Sequence, residues 1–156
     1  MVRVDVAGRV VAAEVWRVYA ALVDPVALAA WLPPAGMCGR FERFDARPGG
    51  SYRMVLSYVD ATGSPGKATA DSDVVEARFA ALVPGERVVQ EVEFDSDDPA
   101  FAGTMTMTWS VAAVGGGTRV EVRAEGVPEG ISAADHVAGL ESSLANLAEH
   151  LESAAG

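Results

Sequence analysis

The chain has 156 residues, half of them hydrophobic, and carries 22 acidic against 12 basic side chains for a formal charge of −10. That apolar mass suffices for one core without covalent staples, so a single domain over 1–156 is expected, and the negative field repels phosphate polyanions and anionic bilayers, which argues against nucleic acid as a partner. Cys38 is the only cysteine, which excludes an internal disulfide and a thiolate metal cluster and suits a reducing, cytoplasmic location.

Met1 to Val10 holds Arg3, Asp5 and Arg9 among its valines, so it lacks the unbroken apolar run of a secretory signal. No later stretch approaches the roughly 20 apolar residues of a membrane span, and no membrane insertion is expected. Arg3 to Val10 alternates and predicts a first strand. Ala12 to Val23 then places Val15, Val18, Tyr19 and Leu22 at helical spacing, stopped by Asp24-Pro25. A short second helix is predicted over Val26 to Trp31, before Pro33-Pro34 breaks it.

From Arg40 the pattern changes to period two. Tyr52, Met54, Leu56 and Tyr58 share one strand face; Val88, Gln90, Val92 and Phe94 share another; Met105, Met107, Trp109 and Val111 alternate with Thr104, Thr106, Thr108 and Ser110; Val120, Val122 and Ala124 complete the set. Joined by turns at Gly49-Gly50, Pro84-Gly85 and Gly115-Gly116-Gly117, these strands predict an antiparallel sheet with one dry face. Gly63 to Ser72 reads as a loop entering another strand that ends near Phe79. The cover for the dry face comes last: Ser132 resembles an N-terminal cap, and Val137, Leu140, Leu144, Leu147 and Leu151 form one apolar stripe on a helix of roughly twenty residues. The predicted class is α+β, a sheet curled around a long C-terminal helix, with two short helices after the first strand.

Several stretches carry a family resemblance over nearly the whole chain. "VWRVYAALVDPVALAAWLPP", "FDARPGGSYRM", "FAALVPGERVVQEVEF", "GTMTMTWSV" with "GGGTRVEV", and "GVPEGISAADHVAGLESSLANLAEHLE" are similar to successive segments of the START-like helix-grip (SRPBCC) superfamily. They resemble its branch named after the activator of the heat-shock chaperone ATPase (AHSA-like). The adjacent Gly49 and Gly50 then fit the turn between strands two and three, where at least one residue needs positive φ and Pro48 presets the entry. Because Ser51 to Tyr58 reads as strand, no helix N-terminus follows to make them a phosphate cradle.

The resemblance implies a cavity between sheet and long helix, used in relatives for lipids, hormones, polyketides or other apolar molecules. Trp31, Tyr52, Met54, Phe94, Met105, Met107 and Trp109, with Leu140 of the helix stripe, have the bulk or adaptability to line such a space or simply to fill a core. Gln90 shares the apolar face, and a buried amide needs a partner, either a ligand or a neighbour. His136, at the start of the long helix, could reach the cavity mouth as a hydrogen-bonding or proton-carrying group, or could be a solvated flank residue beside Asp135. His150 is expected outside.

No metal site or other cofactor is expected. Two histidines fourteen residues apart do not make a zinc site, and "DSDDP" from Asp95 lacks the glycine and glutamate of a calcium loop, where Ala100 and Thr106 stand. No recognisable catalytic motif occurs: there is no G-x-S-x-G elbow, and Cys38 with His136 would form a dyad only if the fold joined them. Asp71, Asp73 and Glu76 are read as exposed charge, unless one sits in the cavity as a proton donor or base. The leading expectation is therefore a module that binds a small, mainly hydrophobic molecule. A polyketide cyclase- or aromatase-like enzyme acting by shape and proton transfer is the alternative, and a chaperone ATPase-activating partner the third. Monomer and homodimer both remain open.

Overall fold

The computed structural model describes residues 3–33, 37–58, 72–94 and 98–154. The order is β1 (Val4–Val11), α1 (Val15–Val23), α2 (Pro25–Trp31), β2 (Met37–Phe44), β3 (Ser51–Tyr58), β4 (Ser72–Val83), β5 (Arg87–Phe94), a 3-10 turn (Pro99–Phe101), β6 (Met105–Val114), β7 (Gly117–Glu125) and α3 (Ala133–Ala154). The strands form one antiparallel sheet in the order β1-β7-β6-β5-β4-β3-β2. After β1 the two short helices carry the chain to the far edge, where β2 begins a meander that returns strand by strand until β7 pairs with β1. Curled as a half-barrel around α3, the sheet makes an α+β helix-grip fold.

Local chemistry explains most boundaries. Asp24 ends α1 and caps α2, its carboxylate accepting a 3.0 Å hydrogen bond from the Val26 amide while Pro25 takes the first helical position. The first helix starts at Val15, not at Ala12: residues 12 and 13 form a bend, with the Ala13 amide donating to the Val11 carbonyl, and Thr118 fixes it by donating to the Ala13 carbonyl at 2.7 Å. Ser132 caps α3 by accepting from the Asp135 amide at 3.1 Å.

Gly49 and Gly50 lie in the connection between β2 and β3, and each has its own reason. Gly49 adopts φ +83, a left-handed conformation that a side chain disfavours. Gly50 is required by space, since a Cβ there would lie 2.2 Å from the Asp45 carbonyl oxygen. The Gly49 amide donates to the Phe79 carbonyl and the Phe79 amide to the Gly50 carbonyl, so the turn is stitched to β4. That strand continues past Phe79 to Val83, beyond its expected end, because a bulge between Phe79 and Ala81 restores its pairing with β5. The expected loop from Gly63 lies outside the described residues up to Asp71.

Apolar faces meet as their periodicity requires. Leu140, Leu144, Leu147 and Leu151 of α3 are buried, as are Val88, Val92, Met105, Trp109, Val111, Val120 and Val122 of the sheet. Full burial of each such aliphatic side chain contributes about 1.5–3 kcal/mol. The close backbone approaches of α3 are to β1, α2 and α1, whereas the central strands stand farther from it. Ser143 and Asn146 tie it to the end of α2 by donating to the Leu32 and Pro33 carbonyls at 2.7 and 2.9 Å. Among the described residues no helix is long and apolar enough to cross a membrane.

Candidate functional site

Because α3 leans on one edge of the sheet, a cavity of about 450 Å³ opens between it and strands β2 to β6. Its sheet wall includes Tyr52 and Met54 of β3, Gln90 and Phe94 of β5, and Met105, Met107 and Trp109 of β6; its helix wall includes His136 and Leu140. Nine of the ten residues singled out from the sequence therefore border one space. Trp31 does not border it. This residue is fully buried behind Trp109, edge-on at 5.3 Å between ring centroids, with its indole N–H donating to the Ala21 carbonyl at 2.9 Å. Its role here is to hold α2 against α1 and to back the cavity wall.

Two buried polar pairs stand out in the largely apolar lining, which also includes Asp135 and Ser143. On the sheet side, the Gln90 amide is hydrogen-bonded to the Tyr52 hydroxyl, and both residues are buried. Burial pushes the Tyr52 hydroxyl far above its ordinary pKa, with the Gln90 hydrogen bond drawing it partway back, so the phenol stays neutral. Tyr52 packs among Phe41, Phe44 and Phe79, with ring centroids 5.2, 5.9 and 5.8 Å away, which fixes the hydroxyl in place.

On the helix side, His136 Nδ1 lies 2.8 Å from Asp5 Oδ2 of β1, and Arg3 Nη2 donates to the same oxygen at 2.9 Å. Asp5 is 4% exposed and the His136 side chain 13%. Burial raises the Asp5 pKa, but the hydrogen bonds and charges of Arg3 and His136 outweigh it and hold the carboxyl below its usual value.

The sequence pattern concealed Asp5. Alternation alone would turn Val4, Val6 and Val10 inward, yet these are 39%, 43% and 50% exposed, while Asp5, Ala7 and Val11 face the interior. Pairing with β7 sets that orientation: Asp5 sits opposite Ala124 and Ala7 opposite Val122, both buried members of the inner face.

Other candidates fall elsewhere. Cys38 is exposed and alternates with the cavity-lining Met37 on β2, so it faces away from His136 and the two form no dyad. Glu76 belongs to the outer face, paired with Arg43 at 2.7 Å and Arg53 at 2.6 Å; burial raises its pKa, and the two arginines outweigh that to leave it lowered. Asp71 and Asp95 to Asp97 lie outside the described residues, as does the Asp73 side chain. Asp98 caps the 3-10 turn, accepting from the Ala100 amide at 2.9 Å. His150, expected outside, is partly buried. Lining residues without an earlier signal include Leu32, Gly139 and Ser143.

Comparison with known proteins adds a family. Residues 12–152 match the model for Activator of Hsp90 ATPase homolog 1-like proteins. The chain is similar to CV1439 of Chromobacterium violaceum, with 33% identity, a TM-score of 0.85 and 96% of each chain covered. An AHSA1-like protein of Aeromonas hydrophila shares the fold at 18% identity and a TM-score of 0.73, covering 98% of this chain and 94% of the other. DynU16, from the dynemicin biosynthetic locus, shares the fold at 21% identity and a TM-score of 0.69 over 97% of this chain and 48% of its own. No functionally curated protein matches the chain.

Proposed function

The chain belongs to the Activator of Hsp90 ATPase homolog 1-like family, and on that premise we propose that it binds a small, mainly hydrophobic molecule between the sheet and α3. The observation that carries this reading is the stand-off of α3 from the central strands, which leaves about 450 Å³ among Met, aromatic and aliphatic side chains. That volume lies within the usual range of roughly 300–1,000 Å³ for small-molecule sites, which combine an apolar lining with a few placed polar groups. Met54, Met105 and Met107 supply adaptable walls, and the Tyr52–Gln90 pair supplies a neutral hydrogen-bonding point that orients a ligand without demanding a charge. The lone, exposed Cys38 thiol suits the reducing cytoplasm in which such a ligand would be met.

Native mass spectrometry of protein purified from its own host, beside a denatured sample, tests the reading. A discrete released mass is expected. A homogeneous empty protein that also takes up no apolar dye from solution would contradict it.

A further inference from the structure

Two buried polar residues of the inner sheet face, Asp5 and Gln90, stand in one cross-strand row. Asp5 pairs across β7 with Ala124, Ala124 across β6 with Met107, and Met107 across β5 with Gln90. At the usual strand spacing the two polar ends of this row are about 14 Å apart along the sheet, with an apolar middle. One end carries the neutral Tyr52–Gln90 pair; the other carries Asp5, over which α3 lays His136.

The Asp5 end has the parts of a proton-transfer site. An ionised carboxylate only accepts hydrogen bonds, so at 2.8 Å the imidazole donates from Nδ1 and, when neutral, keeps its lone pair on Nε2. Among the described residues Nε2 has no hydrogen-bond partner, and His136 is itself a wall of the cavity. Arg3 donates to the same carboxylate oxygen, a second hydrogen bond that restrains the Asp5 rotamer. The charged neighbours are few. Arg3 just before β1 and Asp5 on it are two; on α3, Asp135 also borders the cavity; across it stands the neutral Tyr52. Of the helices packed against α3, α2 has no charged side chain, and Arg17 of α1 is held at the far end by the Leu151 carbonyl.

We infer that Asp5 and His136 form a general-base dyad on the cavity wall, and that the site takes apolar molecules bearing a weakly acidic C–H or O–H group, whose proton His136 removes. Asp5 acts as a positioning residue that sets the tautomer and stabilises the imidazolium as it forms. This inference rests on the binding reading above. It explains why β1 buries a carboxylate while three of its valines face solvent, an arrangement that packing alone would not favour.

A base in an apolar cavity is tested by elimination of 5-nitrobenzisoxazole. His136 Nε2 takes the C3 proton, the C–H electron pair completes the nitrile, and the N–O bond breaks to release 2-cyano-4-nitrophenolate; the imidazolium then returns its proton to water. The protein should exceed an equal concentration of free imidazole by about 10²-fold at neutral pH. His136→Gln should remove the excess, and Asp5→Asn should lower kcat with little change in KM. Ring ¹⁵N shifts of the unmodified protein should show the proton on Nδ1. A wild-type rate equal to that of His136→Gln, or a ring proton on Nε2, would overturn the inference. Fluorescence of 1-aminoanthracene on the same samples separates the two claims: dye bound without elimination removes the dyad alone, and neither dye nor elimination removes the cavity as well.

Discussion

Asp5 and Gln90 stand in one cross-strand row of the inner sheet face, with Ala124 and Met107 between them, and each is buried with a partner: His136 for the carboxylate, Tyr52 for the amide. The two groups differ in charge, so they should respond differently to substitution and to pH.

Asp5 ties stability to acid. Its folded pKa is lowered, so its contribution is fully present above the unfolded carboxylate value of about 3.9 and is lost as pH falls through the folded value. Asp5→Asn should cost about 1–3 kcal/mol at neutral pH, as expected for hydrogen bonds to a charged group. Urea unfolding should show that difference unchanged down to about pH 4 and shrinking below it; a constant difference into strong acid would deny the ion pair.

The neutral pair behaves as a unit. Gln90→Leu alone leaves the Tyr52 hydroxyl buried without its partner and should destabilise by about 1–3 kcal/mol, whereas Gln90→Leu with Tyr52→Phe removes both and should recover most of the loss. A double-mutant cycle by chemical denaturation measures the coupling, and simple additivity would show that the two do not act together.

The two turn glycines should separate by mechanism. Gly49→Ala meets open space and pays only for its left-handed backbone, about 1–2 kcal/mol. Gly50→Ala drives a methyl into the Asp45 carbonyl and should cost more, because backbone rather than a side chain must move. Midpoints of thermal unfolding for both variants decide the order.

Much of this was readable in advance for physical reasons. The two strand faces carrying Met105 and Val88, the leucine stripe of α3 and the stop at Asp24-Pro25 follow from periodicity and capping, which depend on near neighbours in sequence. Where the structure departed from the pattern, a distant partner decided. Asp5 faces inward because β7 fixes the register of β1, and Trp31 is turned from the cavity by the Ala21 carbonyl and Trp109. The hollow itself had no local signature, since the same Met and aromatic residues would serve a filled core; it arises from where α3 rests on the sheet.

Gly139 offers the most direct test of that hollow. It borders the cavity from α3, and a Cβ placed on it would meet nothing within 4 Å. Gly139→Phe should therefore project a ring into the space while replacing a helix-weakening glycine, leaving the fold at least as stable. Titrating 1-aminoanthracene into wild type and variant, with unfolding midpoints measured alongside, should give saturable one-to-one binding in the first and at least about tenfold weaker binding in the second, a loss of about 1.4 kcal/mol. Equal dye affinity in a stable Gly139→Phe protein would contradict the account, because the ligand space would then lie elsewhere.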